Sequence, residues 1–229
     1  MTFGELAKKF DHTLLKSTAT EQDIRKLCEE ALEYRFASVC VQPCWVEFAA
    51  QQLSKSEVLT CTVVGFPLGA NETPTKVFEA RKAVESGAGE VDMVMNLGWA
   101  LAGDWSRVEG EMSQIKEALG TVPLKVILET CFLNEEQIVL ACQAATRAGA
   151  RFVKTSTGFA AAGATASQVR LMSHSIGKGM FVKASGGIRT LAETLAMLEA
   201  GASRIGASAS VGIVKEFKGE QGASISVGY

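Results

Sequence analysis

Three short stretches carry ionisable side chains where a strand should be apolar: "EVDMV" with Asp92, "FVKTS" with Lys154 and "FVKAS" with Lys183. A lone lysine in such a place reads as a strand-end charge reaching water, or as half of a structural ion pair. Two lysines in near-identical contexts, with an in-strand aspartate, favour chemistry. Side chains alternate faces along a strand, so Lys154 shares a face with Ser156, Lys183 with Ser185, and Asp92 with Val94 and Asn96. If those faces point into one interior, two amines and a carboxylate meet there.

An amine attacks only without its proton, and an ordinary lysine near pKa ~10.4 is almost wholly protonated at neutral pH. Burial and a neighbouring cation both disfavour the charged form. A buried lysine pair therefore predicts a division of labour. One lysine attacks a carbonyl and forms a Schiff base; the other stays an ammonium and keeps its neighbour reactive. The protonated imine draws electrons from the adjacent carbon, so a C–C bond beyond it breaks or forms. Asp92 is placed to move protons. Lys125 in "LKVILET" reads differently: it precedes its strand's apolar run, which predicts an exposed structural role at the far end.

Three late loops are rich in glycine: "TSTGF" with Thr157 and Gly158, "SGGIRT" with Gly186 and Gly187, and "GASAS" with Gly206 and Ser208. Each can turn backbone N–H groups toward an anion, and their clustering points to a phosphorylated substrate. "FDHTLL" puts Asp11, His12 and Thr13 at a strand end, where they either line the pocket or, for His12, sit hydrogen-bonded in the core. His12 and His174 are the only histidines. They lack metal-ligand spacing, so no metal is expected.

Strands must hold these groups, and the chain supplies eight runs: 10–13, 38–42, 59–65, 90–96, 124–129, 152–156, 180–185 and 204–207. Between them lie segments of helical period, such as "EQDIRKLCEEALEYRF" and "DWSRVEGEMSQIKEAL". Thr20 with Asp23, Asn134 with Gln137, and Thr190 with Glu193 mark helix starts. "SGAGEVDMV", "AGARFVKT" and "AGASRIGA" repeat one joint, a glycine (Gly87, Gly149, Gly201) ending a helix just before a strand. Alternation throughout 229 residues, with no linker, predicts one α/β domain over residues 1–229. The fold expected is a (β/α)8 TIM barrel with an extra N-terminal helix in "TFGELAKKF". The rival, a doubly wound sheet, wants a Gly-x-Gly-x-x-Gly after the first strand, and none is there.

Composition narrows the partners. Hydrophobic residues make up 47% and net charge is −2, so no basic footprint for nucleic acid exists. No run is long enough for a membrane span and no signal-peptide pattern opens the chain; a cytoplasmic location is the expectation. The six cysteines lack a Cys-x-x-Cys pair and read as small buried hydrophobes.

Taken together, "DHTLL", "SVCVQP", "VGFPLG", "EVDMVMNLG", "KVILET", "FVKTSTGF", "VKASGGIRT" and "RIGAS" resemble the deoxyribose-phosphate aldolases across almost the whole chain. The resemblance implies class I aldol cleavage of 2-deoxy-D-ribose 5-phosphate to D-glyceraldehyde 3-phosphate and acetaldehyde, without metal or organic cofactor. It implies Lys154 as the Schiff-base lysine, Asp92 as proton donor and acceptor, and Lys183 as the second lysine. Gly158, Gly187, Gly206 and Ser208 match phosphate-holding positions, and Asp11 and Thr13 match polar pocket residues. It also implies a homodimer or higher homo-oligomer. Phe159 and Ala209 stand where some relatives carry a lysine and a second serine, which shifts phosphate binding toward backbone amides. Tyr229 closes a flexible tail, about 219–229, and matches a terminal tyrosine that assists proton transfer in some relatives; a frayed end is the plain reading. Another phosphosugar lyase or isomerase on the same barrel is the alternative.

Overall fold

A computed structural model of the chain describes residues 1–220; Tyr229 and most of the expected tail lie outside them. The elements alternate from the start. The first half runs α1 (Phe3–Ala7), β1 (Phe10–Leu14), α2 (Glu21–Tyr34), β2 (Ser38–Val41), α3 (Val46–Leu53), β3 (Leu59–Val64), α4 (Thr73–Glu85) and β4 (Glu90–Val94). The second half runs α5 (Leu97–Leu101), α6 (Trp105–Leu119), β5 (Leu124–Ile127), α7 (Glu135–Arg147), β6 (Phe152–Lys154), α8 (Ala166–Ser175), β7 (Phe181–Ser185), α9 (Leu191–Glu199), β8 (Ala202–Ala207) and α10 (Ser210–Phe217). The eight strands close into a parallel barrel in chain order, β8 pairing back onto β1. This is a TIM barrel, with α1 as the extra helix ahead of the first strand.

Local chemistry explains the joints. Thr20, Asn134 and Thr190 each form a reciprocal capping box with the residue three positions on. Gly87, Gly149 and Gly201 all take positive φ, the conformation that lets a helix end and the next strand begin within two or three residues. Three strands, β4, β5 and β6, end two residues earlier than expected, and β2, β3 and β7 are each one residue shorter. β4 stops at Val94 because Asn96 turns away to cap α5, accepting from the Trp99 N–H at 3.1 Å. β6 stops at Lys154 because Thr155 bonds the carbonyl of Ser185 and Thr157 turns to Glu129.

The main apolar core lies between the outer face of the sheet and the helices, built from residues such as Phe10, Val91, Met93, Leu124, Val153 and Ile205. The barrel interior is different. Leu15, Cys40, Cys61 and Val63 form a small apolar cluster there, with Phe66 packed on it. Much of the rest is ionic. Cys28, Cys40, Cys61 and Cys142 are buried as expected, whereas Cys44 is exposed and Cys131 half-buried, because both sit in short 3-10 turns outside the core. No helix among the described residues is long and apolar enough to cross a membrane.

Candidate active site

The alternation that places Met93 and Val153 against the helices turns Asp92 and Lys154 inward, and Lys183 follows by register. Lys154 and Lys183 are direct neighbours on β6 and β7. Both donate to one carboxylate oxygen, Asp92 Oδ2, at 2.8 Å and 2.7 Å. The two nitrogens are therefore no farther apart than those two bonds laid end to end. All three side chains are almost completely buried. Lys154, the last residue of its strand, stands at the C-terminal end of the barrel, where enzymes of this fold do their chemistry.

Lys125 overturns the sequence reading. It is wholly buried, and its ammonium reaches Glu90 at 2.6 Å, Asp92 Oδ1 at 2.9 Å and Cys61 Sγ at 3.3 Å, with Asp11 at 3.8 Å. In a closed barrel even the first turn of a strand faces an interior that nonadjacent strands fill. Below it, Arg204 spans Asp11 at 2.5 Å and Glu90 at 3.1 Å. Asp11 also lies 2.5 Å from Lys183 Nζ, a close ion pair without hydrogen-bond alignment at that oxygen. Asp11 thus sits beneath the lysines, holding Ser38 at 2.7 Å, and is not an open pocket wall.

The electrostatics follow from this packing. Burial by itself pushes the Asp92 carboxyl up, but Lys125, Lys154 and Lys183 outweigh it and hold the group well below the usual carboxylate range. Asp11 is likewise pushed up by burial and held low by Lys183, Arg204 and Lys125. Burial alone would lower Lys183; Asp11 and Asp92 reverse that and raise it, so Lys183 remains an ammonium. Burial alone would lower Lys125 as well; Asp92, Glu90 and Asp11 reverse that and keep it an ammonium.

The other sequence-derived residues divide. Thr13 lies half-buried one strand step above Asp11, its hydroxyl bonded to the Asp11 carbonyl at 2.8 Å. His12 points the other way, into the helix layer, with Nε2 2.8 Å from Glu30 and its ring against Phe36. Adjacent strand residues cannot both face in, so His12 is a core histidine. Thr157 is buried with Glu129, which accepts from its N–H at 3.1 Å and from its hydroxyl. Gly158, Gly186 and Gly187 all adopt positive φ at the mouth. The N–H groups of Gly186 and Gly187, which follow β7, and of Ser208, just before α10, have no protein acceptor among the described residues. Gly206 does something more immediate: a Cβ there would come 3.0 Å from Lys183 Cε, so its bareness makes room for the lysine. Phe159 packs edge-on against Phe66 at 5.3 Å, forming a lip of the mouth.

Several contributors went unread in the sequence. Ser156 shares the inward face of Lys154, and its buried hydroxyl has no hydrogen-bond partner among the described residues. Glu129, in a left-handed backbone conformation, braces the loop that carries Thr157. Lys76 and Glu111 form a buried pair at 2.9 Å that fastens the end of β4, Lys76 on the Val94 carbonyl and Glu111 on the Asn96 amide. Only face parity for Ser156 could have flagged any of them. Among the described residues, two groups bring their ligand atoms within metal-binding reach, Cys40–Cys61–Asp92 and Asp11–Cys61–Glu90. The Lys125 ammonium already lies among them, so these sites hold their own cation.

This arrangement can generate an amine nucleophile beside a fixed ammonium, with a shared carboxylate to carry protons. Comparison with known proteins agrees in kind. A family model described as DeoC/LacD family aldolase matches residues 6–225. A deoxyribose-phosphate aldolase from Thermoanaerobacter sp. (strain X514) is 54% identical over 215 residues, 93% of this chain and 96% of that one. Deoxyribose-phosphate aldolase 1 from Vibrio vulnificus (strain YJ016) is 55% identical, covering 89% of this chain and 93% of its own. The deoxyribose phosphate aldolase structure from Aeropyrum pernix, a tetramer, superposes with a TM-score of 0.85 at 35% identity, over 94% of this chain and 92% of that one.

Proposed function

The chain belongs to the DeoC/LacD family of aldolases and is a carbon–carbon lyase, and from that premise we propose that it cleaves 2-deoxy-D-ribose 5-phosphate reversibly through a Schiff base on Lys154. One observation carries the reading: two buried lysines share a single Asp92 oxygen at the C-terminal end of the barrel. Charge balance supports the choice of nucleophile. Lys125, Lys154, Lys183 and Arg204 face Asp11, Glu90 and Asp92, four cations against three carboxylates. Among the described residues, Lys125, Lys183 and Arg204 each contact two or more carboxylates, whereas Lys154 has only Asp92. Uncompensated buried charge costs several kcal/mol, and of these four cations Lys154 has the fewest carboxylates to compensate it.

The steps then conserve atoms. The Lys154 amine adds to the C1 aldehyde and water leaves, giving an iminium. The C3 hydroxyl loses its proton, the C2–C3 electron pair moves into the iminium, and glyceraldehyde 3-phosphate departs. The enamine takes a proton at C2, and water releases acetaldehyde and the free amine. Asp92 is too weak a base to hold a proton for long but touches both amines, which suits it to relay; Lys183 is the proton in reserve. The free amides of Gly186, Gly187 and Ser208, with Gly158 opposite, would hold the phosphate, and Thr13 and Ser156 the sugar hydroxyls. By analogy with the tetrameric relative, the enzyme works as a homo-oligomer.

Acetaldehyde with borohydride tests this directly. Peptide mass spectrometry should find a reduced two-carbon adduct on Lys154, and none in Lys154→Ala. An adduct of equal yield in that variant, or one on Lys183 in the wild type, would overturn the assignment.

A further inference from the structure

The end of the barrel opposite the lysines also opens. A cavity of about 1010 Å3 lies under the first residues of β4, β6, β7 and β8, with α1 along its side. Its wall is strongly cationic: Lys8, Lys9, Arg35, Arg151 and Arg204 line it, against Glu5 and Glu90. The acids are already committed. Glu5 accepts from the Thr2 amide in the capping box of α1, and Glu90 holds Lys125 and Arg204. Lys8 pairs with Glu57 outside the cavity. Lys9, Arg35 and Arg151 have no carboxylate partner among the described residues. Two of the guanidinium groups are held in place by rings, Arg151 4.5 Å from the Phe181 centroid and Arg204 5.4 Å from Phe152. Arg151 is fixed further by the Gly179 carbonyl at 2.6 Å. Positioned, unpaired cations in a concave site focus potential on an incoming anion.

Arg204 links this cavity to the chemistry. It is the half-buried, cavity-lining end of an unbroken chain of ion pairs: Arg204 to Glu90, Glu90 to Lys125, Lys125 to Asp92, with a second branch through Asp11 and Lys183. We propose that this cavity binds a small anion of two or more negative charges, and that an anion seated on Arg204 acts on Asp92 through the ion-pair chain. An anion drawing on Arg204 loosens its hold on Glu90 and Asp11. Those carboxylates then lean harder on Lys125 and Lys183, the two cations that share Asp92 with Lys154. By linkage, substrate at the top and anion at the bottom change each other's affinity by one factor.

Calorimetry with inorganic pyrophosphate at low ionic strength, on the full chain, tests the site. The wild type should show a binding event that Lys9→Glu/Arg35→Glu/Arg151→Glu weakens at least tenfold. Arg35→Ala/Arg151→Ala, truncated at exposed positions, repeats the comparison independently of how charge reversal folds. Unchanged affinity and stoichiometry in both variants would overturn the site. For the link, turnover at saturating substrate should respond to pyrophosphate in the wild type and not in the variants. An equal response in both, or none in the wild type, would remove the coupling. Because the binding measurement needs no catalysis, it succeeds or fails independently of the Schiff-base assignment.

Discussion

Replacing Lys183 by Met tests whether its charge, and not merely its bulk, sets the working pH. Lys154 and Lys183 donate to one oxygen at 2.8 Å and 2.7 Å, which puts the nitrogens about 4–5 Å apart for ordinary hydrogen-bond angles. At an effective dielectric near 20, two unit charges at that distance repel by about 3–4 kcal/mol. Water at the mouth screens part of this, so the figure is an upper bound. The sign is fixed: without the neighbouring ammonium, a proton on the nucleophilic amine is tolerated to higher pH. The acid limb of the rate profile should therefore move upward, by at least one unit, in Lys183→Met. Lys183→Arg, which keeps the charge, should stay within about half a unit of wild type. The assay is the rate of borohydride trapping with acetaldehyde between pH 6 and 10, a substrate without phosphate that reports on the amine alone. The substitution also strands Asp11 and Asp92, at about 3–5 kcal/mol, softened because Arg204 and Lys125 still hold them. Denaturant titration separates that loss from the pH effect. Superimposable profiles for Lys183→Met and wild type, in a folded variant, would refute the two-lysine reasoning.

Gly206→Ala should harm catalysis more than its size suggests. The new Cβ meets Lys183 Cε at 3.0 Å and Ser185 Cβ at 3.1 Å in a fully packed interior, so the ammonium must shift. Turnover is expected to fall about 10- to 100-fold, with a stability loss of about 1–3 kcal/mol; unchanged kcat would show that Lys183 has slack. Acid stability follows from the depressed carboxyls. Asp11 and Asp92 have folded values below their unfolded value near ~3.9, so their contribution is present above that pH and lost as pH falls toward the folded values. Denaturant midpoints should drop steeply below about pH 4, less so in Asp92→Asn. A midpoint that stays flat down to pH 2.5 would contradict the buried network.

What the sequence alone settled was periodic. β-Branched runs at even spacing, capping residues three apart and a glycine before each repeated strand placed all eight strands and the helices between them, because local backbone preferences decide those features. Face parity brought Asp92, Lys154 and Lys183 toward one side, and near-identical flanks around two lysines made the pairing legible. The same rule, applied to "FDHTLL", sends His12 outward once Asp11 faces in. Depth and closure were not in the sequence. Lys125 looked like an exposed strand start because parity says which face a residue takes, not what nonadjacent strands place there. Only the closed barrel brings Glu90, Asp11 and Asp92 around that ammonium. Arg204 and the Lys76–Glu111 brace depend likewise on partners tens of residues away. A buried charge is tolerable only where such partners meet it, and that meeting is a property of the folded chain.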